Sequence, residues 1–283
     1  MGGFDFAGQA VIVTGGTRGI GAGIARAFLA AGARVLVCGR TEPDGPASAT
    51  DAGVRDHGQS VGRSAGLPAV GDRTAEFYRG DVRDPEQATG LVQAAVERFG
   101  ALDILVNNAG GSPPADAATA SPRLHAKIIE LNLIAPLHVS QAANAVMQRQ
   151  DSGGSIVMVG SVSGTRPSPG TAAYGAAKAG LHQLVTSLAV EWAPKARVNA
   201  VIPGLVATEG AVQHYRDAAG MAAAAATVPL RRMATPDDVA DACLFLASAM
   251  ASYVSGAALV VHGGGERPAF LAAADSSVYI PKK

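Results

Sequence analysis

The chain has few charged and few aromatic residues, and its charges cancel. Charged side chains make up 16% of the 283 residues and aromatic ones 5%, while Lys plus Arg and Asp plus Glu number 23 each. A formal net charge of +0 provides no general attraction to nucleic acid or to an anionic membrane. We therefore expect neither as a partner, and any site for an anion must be local.

Long apolar runs, paired cysteines and metal-ligand spacings are also missing. No apolar run reaches the about 20 residues that cross a bilayer, and the N-terminus lacks a basic region followed by an apolar one, so we predict a cytoplasmic protein. The two cysteines, Cys38 and Cys243, lie in apolar runs and are expected to be buried free thiols. The six histidines show no ligand spacing, and we predict no metal site.

Short β-rich apolar runs alternate with longer helical patterns along the chain. The runs lack polar alternation, as is typical of strands covered on both faces; they occupy 10–15, 34–39, 102–108, 155–161, 197–203 and 258–264, with a weaker one at 76–82. Helical patterns occupy about 19–31, 84–99, 121–149, 171–193 and 236–249. The alternation predicts an α/β fold with a doubly wound parallel sheet (Rossmann fold), in a single domain over residues 1–265.

Two segments interrupt this alternation. Residues 41–75 are rich in Gly, Pro, Asp and Ser without an apolar period, which predicts a long surface loop. Residues 266–283 follow the last strand and form a C-terminal extension. Neither segment has the pattern of a second domain.

A glycine-rich turn, TGGTRGIG, connects the first strand to the first helical pattern. Gly15, Gly19 and Gly21 have the spacing G-x-x-x-G-x-G at the beginning of that helix. Backbone N–H groups at a helix N-terminus bind phosphate, and glycines allow the phosphate to approach closely. The turn therefore predicts a phosphate site in the first βαβ unit.

A tyrosine and a lysine stand four residues apart in YGAAK. On a helix, Tyr174 and Lys178 would share one face. An ammonium close to a phenol favours the phenolate, which makes the tyrosine usable as an acid and base near neutral pH. Such a pair alone is more often an ordinary aromatic beside a solvated lysine, so it counts only together with other motifs.

Seven short segments, taken in order, resemble the short-chain dehydrogenase/reductase family from Gly8 to about Gly265. They are TGGTRGIG (14–21), GDV (80–82), NNAG (107–110), ELNL (130–133), VGSVSG (159–164), YGAAK (174–178) and VNAVIPG (198–204). The resemblance implies hydride transfer between a nicotinamide cofactor and a carbonyl or alcohol carbon. It also implies a catalytic set of Asn132, Ser161, Tyr174 and Lys178, with Ser163 as a less favoured rival of Ser161.

The resemblance assigns a role to each member of this set. Tyr174 gives or takes the proton on the substrate oxygen, and Ser161 binds that oxygen. Lys178 binds the nicotinamide ribose and keeps Tyr174 acidic, while Asn132 holds a water of the proton relay. Taken singly, Asn132 and Ser161 would more often cap or bond backbone.

Cofactor contacts are implied by position in the same motifs. They are Gly15, Thr17, Arg18, Gly19, Ile20 and Gly21 in the turn, Asp81 and Val82 beside the adenine, Asn108, Ala109 and Gly110, the pair Tyr174 and Lys178, and Pro203, Gly204, Val206 and Thr208 beside the carboxamide. An equally open role for the asparagines of NNAG is to tie strands together.

Two arginines predict NADP(H) as the cofactor. NAD-specific enzymes of this fold carry an acidic residue at the end of the second strand, where this chain has Gly39 followed by Arg40. Arg18 lies in the phosphate turn, so both guanidinium groups could face the 2′-phosphate of NADP. The alternative is that both are solvated and the cofactor is NAD.

The substrate is predicted only broadly, as a small molecule with a carbonyl or alcohol group. Residues 205–230, Ala- and Gly-rich, predict a mobile lid over a mainly apolar substrate, and VPLRRMATPDDVA resembles 3-oxoacyl-carrier-protein reductases. A polar substrate group could instead meet Arg166, His214, Tyr215 or Arg216. An NAD-dependent alcohol or sugar dehydrogenase remains an alternative, as does the epimerase or dehydratase branch of the family. A non-catalytic, cofactor-sensing protein ranks last because every catalytic position is filled.

Apolar and small residues cover more of two helical patterns, 121–149 and 171–193, than one sheet face requires. The family resemblance implies that such helices pair across a two-fold axis. We therefore predict a homotetramer, or a dimer, in which the extension 266–283 could reach a neighbouring subunit.

Overall fold

The structure, a computed structural model, describes residues 4–43, 48–49, 66–211, 217–266 and 268. Its main sheet has seven parallel strands in the order β10-β9-β8-β7-β1-β2-β6. These strands are β1 (Ala10–Thr14), β2 (Arg34–Gly39), β6 (Glu76–Arg79), β7 (Ile104–Asn107), β8 (Gly154–Val159), β9 (Ala196–Pro203) and β10 (Ala258–Val261). All seven coincide with predicted strands, and the predicted Rossmann-type fold is confirmed.

Strand β1 lies at the point where the strand order reverses. It pairs with β2 on one side and with β7 on the other, with Val11 opposite both Val35 and Ile104. In a sheet of this type the crevice beyond the carboxyl ends of the strands at the reversal is the usual ligand site. The fold therefore directs attention to the turns that follow β1 and β7.

Helices cover both faces of the sheet. They are α1 (Gly19–Ala30), α2 (Pro85–Phe99), α3 (Pro122–Ile129), α4 (Ala135–Met147), α5 (Ala172–Glu191), α6 (Ala218–Thr227) and α7 (Pro236–Ala247). On one face α1 and α7 contribute Phe28 and Val239 to the core; on the other, α2, α4 and α5 contribute Leu91, Val139 and Leu181. No helix among the described residues is long and apolar enough to cross a membrane.

The predicted helix at 121–149 is interrupted by a π-helical turn, Glu130–Ile134, between α3 and α4. The sequence supplies the cause, because Pro136 has no N–H to donate to the carbonyl of Asn132 four residues earlier. The helix therefore widens for one turn, as helices often do at functional sites. The prediction had the extent of this helix nearly right but missed the break in it.

The prediction of a long surface loop at 41–75 is wrong for part of that segment. Strands β3 (Ser48–Ala49), β4 (Pro68–Val70) and β5 (Arg73–Thr74) form a small second sheet. A two-residue turn with Gly71 at φ +58° joins β4 to β5, and Ala69 packs away from solvent at 2% exposure. A glycine in such a turn is the usual hairpin signal. Residues 44–47 and 50–65 lie outside the described residues.

Helix α7 begins at a capping box. Thr235 Oγ1 accepts a hydrogen bond from the N–H of Asp238 at 3.2 Å, and Asp238 Oδ2 accepts one from the N–H of Thr235 at 2.7 Å. Arg232 donates to the same carboxylate at 2.6 and 2.8 Å. This hydrogen bond with Arg232, followed by those with Thr235, lowers the pKa of Asp238 to about 2. The segment PLRRMATPDDVA thus fixes the start of a core helix.

Both cysteines are free and buried, as predicted. Burial raises the pKa of Cys38 to about 11 and that of Cys243 to about 12. Because the thiolate is the reactive form of cysteine, neither side chain is suited to chemistry.

Candidate active site

The segments that carry the proposed site follow the carboxyl ends of β1, β2, β7, β8 and β9. Carboxyl ends of parallel strands meet at one edge of the sheet, so segments far apart in the sequence come together there. Helix α5, which begins soon after the loop that follows β8, adds Tyr174 and Lys178 to the same edge.

Three positions of the turn after β1 require glycine, two because of backbone conformation and one because of close packing. Gly15 and Gly19 have φ values of +62° and +53°, which favour glycine. A Cβ atom on Gly21 would lie 2.3 Å from the carbonyl oxygen of Gly15 and 2.4 Å from Nδ2 of Asn108. The turn therefore fits the requirements of a dinucleotide pyrophosphate at the N-terminus of α1.

Thr14 and Asn108 clamp this turn to the end of β7. Thr14 Oγ1 accepts hydrogen bonds from the N–H groups of Asn108 and Ala109, both at 3.0 Å. Asn108 Nδ2 donates to the carbonyl oxygens of Thr14 at 2.9 Å and Gly15 at 3.2 Å. The side chain of Asn108 thus ties the segments after β1 and β7 together, whereas that of Asn107 donates to Ser140 Oγ at 2.8 Å and joins β7 to helix α4. Thr14 was not among the predicted site residues, because only its position before Gly15 sets it apart in the sequence.

Asn132 lies in the π-helical turn and is fully buried. Its Nδ2 donates to the carbonyl oxygens of Gly111 at 2.8 Å and Ile128 at 2.9 Å, and its Oδ1 accepts from the N–H of Gly111 at 2.8 Å. One lone pair of Oδ1 remains for a water. The side chain therefore holds the end of the NNAG segment in place.

Gly110 lies between Asn132 and Lys178. A Cβ atom at this position would lie 2.8 Å from Asn132 Oδ1 and 3.4 Å from Lys178 Nζ. Two of the four proposed catalytic side chains are therefore brought together around a single glycine of the proposed cofactor wall.

Lys178 is buried at 3% exposure. Its Nζ donates to the carbonyl oxygen of Val159 at 2.9 Å and lies 5.7 Å from the centroid of the Tyr174 ring. Burial, which disfavours the ammonium form, lowers the pKa of Lys178 to about 8. A buried lysine with so low a pKa is typical of functional sites.

Tyr174 and Ser161 share a hydrogen bond. Burial raises the pKa of Tyr174, and the hydrogen bond with Ser161 opposes this effect. The effect of Lys178 on this phenol remains a prediction, because the interaction that opposes burial here comes from Ser161.

Ser161, and not Ser163, is the serine that faces Tyr174. It does not close a strand as predicted, since β8 ends at Val159. It instead begins a 3-10 turn, Val162–Gly164, and its Oγ accepts from the N–H of Ser163 at 3.1 Å. This bond fixes the direction of the Ser161 hydroxyl.

His182, one turn after Lys178, packs directly under Ser161. Its Nε2 accepts a hydrogen bond from the backbone N–H of Ser161 at 3.5 Å. Cβ atoms on Gly160 and Gly164 would lie 2.4 Å and 2.8 Å from the imidazole ring. His182 was not among the predicted site residues, because only its spacing of four residues from Lys178 places it on the same helix face.

The end of β2 carries the predicted arginines. Arg18 and Arg40 are exposed, and in the part of the chain that the structure describes neither guanidinium has a hydrogen-bond partner. Asp81, whose place beside the adenine remains a prediction, binds Arg83 through Nε at 2.9 Å and through Nη2. That bond lowers the pKa of Asp81. Thr17 lies near Gly39, since its Cγ2 is 3.8 Å from the position that a Cβ atom on Gly39 would take.

The strip after β9 faces the glycine turn. Thr208 Cγ2 lies 3.6 Å from the position of a Cβ on Gly19, and Val206 forms a bridge with Ala234. Pro203 ends β9, and Gly204 packs so closely on His262 that a Cβ would lie 2.7 Å from the Cβ of His262.

The other predicted site residues lie in the core or outside the described residues. Val82 is buried in the core on one face of the sheet, and Ile20 packs against the core on the other face. His214, Tyr215 and Arg216 lie outside the described residues. Among the ranges described above, no group of three or more His, Cys, Asp or Glu could hold a metal ion.

Known proteins of similar sequence or fold are oxidoreductases. A family model described as enoyl-(acyl carrier protein) reductase matches residues 15–266. L-rhamnose 1-dehydrogenase (NAD(P)(+)) from Azotobacter vinelandii is 37% identical, covering 90% of this chain and 96% of its own. The 3-oxoacyl-[acyl-carrier-protein] reductase of Chlamydia muridarum is 34% identical, covering 90% and 96%. The ligand-free structure of Thermoplasma acidophilum aldohexose dehydrogenase superposes with a TM-score of 0.80 at 26% identity, over 99% of both chains.

Proposed function

The chain belongs to the short-chain dehydrogenase/reductase family, whose members are oxidoreductases acting on alcohol and carbonyl groups with a nicotinamide cofactor, and from this premise we propose that it uses NADP(H) with Tyr174 as general acid and base. The observation that carries the proposal is the convergence of Ser161, Tyr174 and Lys178. Tyr174 forms a hydrogen bond with Ser161. Nζ of Lys178, on the same face of α5, lies 5.7 Å from the centroid of the Tyr174 ring.

The residues of this chain would bind, orient and protonate the substrate. The cofactor, when bound, supplies or accepts the hydride. Ser161, with its hydroxyl held by the N–H of Ser163, would donate to the substrate oxygen. Tyr174 would give that oxygen a proton during reduction and take one during oxidation. Lys178 and Asn132 would hold the cofactor ribose and the proton path on either side of Gly110.

The preference for NADP(H) over NAD(H) rests on charge at the end of β2. Arg18 and Arg40 are exposed and make no hydrogen bond among the described residues, although the charge of Arg40 acts on Asp81. Gly39 leaves no carboxylate at the end of β2 to bind the ribose hydroxyls. A carboxylate there would repel a 2′-phosphate, whereas two guanidinium groups would bind it. The related L-rhamnose dehydrogenase carries the description NAD(P)(+), so use of both cofactors is the alternative.

Two substrate classes are supported by different observations. A 3-oxoacyl thioester or another largely apolar carbonyl fits the Ala-rich α6, in which no residue is buried, and the 3-oxoacyl reductase relative. A sugar fits the L-rhamnose dehydrogenase relative and the aldohexose dehydrogenase structure. The sugar class is taken further below.

Assembly into a homotetramer, or a dimer, is supported by apolar side chains left on the surface. They include Ile134 in the π-helical turn and Val190 in α5. Val260 in the edge strand β10 and Met250 and Tyr253 before it are also exposed, Tyr253 fully. An active monomer at working concentration in light scattering would contradict this assembly. The cytoplasmic location remains a prediction from the sequence.

The test is turnover against a panel of ketones, 3-oxoacyl thioesters, quinones and sugars or their alcohols. Each is incubated with NADPH or NADP⁺, and the near-ultraviolet absorbance of NADPH is followed. Change in absorbance with at least one compound, abolished in Tyr174→Phe, supports the proposal. Tight binding of NADPH with no turnover of any compound would favour a cofactor-sensing protein.

A further inference from the structure

A cavity of about 220 Å³ lies directly beside the loop that carries Ser161. Its walls come from the segment after Ser161, from the segment after Pro203 and from the segment after β10. We call it the Arg166 pocket, and its lining is Val162, Thr165, Arg166, Gly204, Leu205, Val228, His262, Gly265 and Glu266. Its volume lies below the about 300–1,000 Å³ of sites for drug-sized ligands, so it suits a small substrate.

An ion pair joins two walls of the pocket. Arg166 Nη2 lies 2.7 Å from Glu266 Oε1, although the two residues are 100 positions apart. Their side chains are 38% and 31% exposed, so both are open to a ligand. The backbone carbonyl of His262, on the same wall as Glu266, accepts a hydrogen bond from the N–H of Gly265 at 3.1 Å, while its imidazole makes no hydrogen bond among the described residues.

The ion pair between Arg166 and Glu266 favours one chemical class of ligand over others. Its charges cancel, so it gives a net anion no advantage, because an anion would have to displace Glu266 from Arg166. An apolar group would remove both charges from water without replacing their hydrogen bonds, which is unfavourable. A neutral molecule with adjacent hydroxyl groups avoids both costs, since hydroxyls donate to the carboxylate and accept from the guanidinium.

We infer that Arg166 and Glu266 determine specificity for a small, neutral, polyhydroxylated substrate of the size of a monosaccharide. This inference rests on the proposed function. The pair binds hydroxyl groups away from the reacting carbon, and His262 supplies one further hydrogen bond. At the reacting carbon the C–H bond would break and its electron pair would leave as hydride to oxidised cofactor, while the hydroxyl proton would pass to the phenolate form of Tyr174, leaving a carbonyl and a neutral phenol.

The experiment uses the full chain with NADP⁺ and three kinds of alcohol. L-rhamnose and D-glucose represent neutral polyhydroxylated compounds, cyclohexanol an apolar alcohol, and 3-hydroxybutyrate an anionic one. Wild type is compared with Arg166→Gln and Glu266→Gln. The control is Arg98→Gln, which breaks a comparable exposed ion pair with Glu76, at 3.2 Å, at the opposite edge of the sheet.

We expect wild type to have the highest kcat/KM on a sugar. Each pocket variant should raise the KM for that sugar about 10- to 100-fold, because loss of a charge-assisted hydrogen bond weakens binding by about this factor. The kcat should change little. The KM for cyclohexanol and the thermal midpoint should stay close to wild type, and Arg98→Gln should change neither KM.

Three results would overturn the inference. Turnover of cyclohexanol or 3-hydroxybutyrate without any of the sugars would refute it while leaving the proposed function intact. A KM that rises equally for sugar and cyclohexanol would show that the ion pair only supports the loop. Turnover of none of these alcohols would refute the inference, and it would overturn the proposed function as well if every compound of the wider panel also failed with NADPH still bound.

Discussion

His182 Nε2 accepts a hydrogen bond from the backbone N–H of Ser161 at 3.5 Å. Helix α5 therefore places three residues of one face at the site, with Tyr174, Lys178 and His182 each one turn apart. The first two face the proposed chemistry, while His182 supports the loop on which Ser161 stands. Neutral imidazole is required for this contact, because an imidazolium has no acceptor.

Replacing His182 by Leu should lower kcat more than it raises KM. Leu leaves the N–H of Ser161 without its partner, at a cost of about 1–3 kcal/mol, and frees the Ser161 loop to move. His182→Gln, which retains an acceptor, should recover part of the loss. Steady-state kinetics on the best substrate checks this, and wild-type kcat in His182→Leu would exclude a positioning role.

Acid should weaken the fold through the same histidine. Burial, with a smaller effect from the charge of Lys178, lowers the pKa of His182 below its ordinary 6.5. The unfolded chain therefore takes up the proton first as the pH falls. The contribution of His182 is intact above about pH 6.5 and is lost between there and its lower folded pKa. Urea unfolding through this window should show a smaller loss in His182→Gln than in wild type.

Tyr174→Phe should remove nearly all turnover and leave cofactor binding largely intact. The ring stays in place and only the hydroxyl is removed, and loss of a general acid costs a factor of about 10²–10⁴ in rate. Kinetics and a fluorescence titration with NADPH measure the two effects separately. A Phe variant with unchanged turnover would disprove the role of Tyr174.

Arg40→Ala should weaken NADPH binding about 10- to 100-fold, the value of one charge-assisted hydrogen bond. NADH binding should barely change, because NADH has no 2′-phosphate. Dissociation constants for both cofactors are compared with those of Arg149→Ala, which removes an exposed arginine beyond the end of α4. Tighter binding of NADH than of NADPH by wild type would contradict the preference.

Asp238→Asn should destabilise the protein by about 1 kcal/mol, as is typical for a lost helix cap. The folded pKa of Asp238 is about 2, against an ordinary value of 3.8. Its stabilisation is therefore present above pH 3.8 and is lost as the pH falls toward 2. Thermal unfolding at neutral and acid pH checks this, and the difference between the variant and wild type should shrink in acid.

The sequence predicted the sheet well because buried parallel strands have uninterrupted apolar runs. It also predicted that the motifs following these strands lie together, because the carboxyl ends of parallel strands meet at one edge of the sheet. The π-helical turn was missed because its cause, Pro136, also fits an ordinary helix start. The contact of His182 with Ser161 depends on how α5 packs under the loop after β8. The pairing of Arg166 with Glu266 has no signal in the sequence, since nothing local links residues 100 positions apart.

The position of β1 between β2 and β7 also constrains the order in which the chain can fold. The clamp between Thr14 and Asn108 joins residues 94 positions apart, so a nascent chain cannot close its central strand pair until β7 has been synthesised. Until then β1 has one exposed edge, and contacts of such long range slow folding. A chain released before Asn108 would leave the apolar edge of β1 exposed. Extra residues within 41–75 would add only slightly to the entropy of closing the loop.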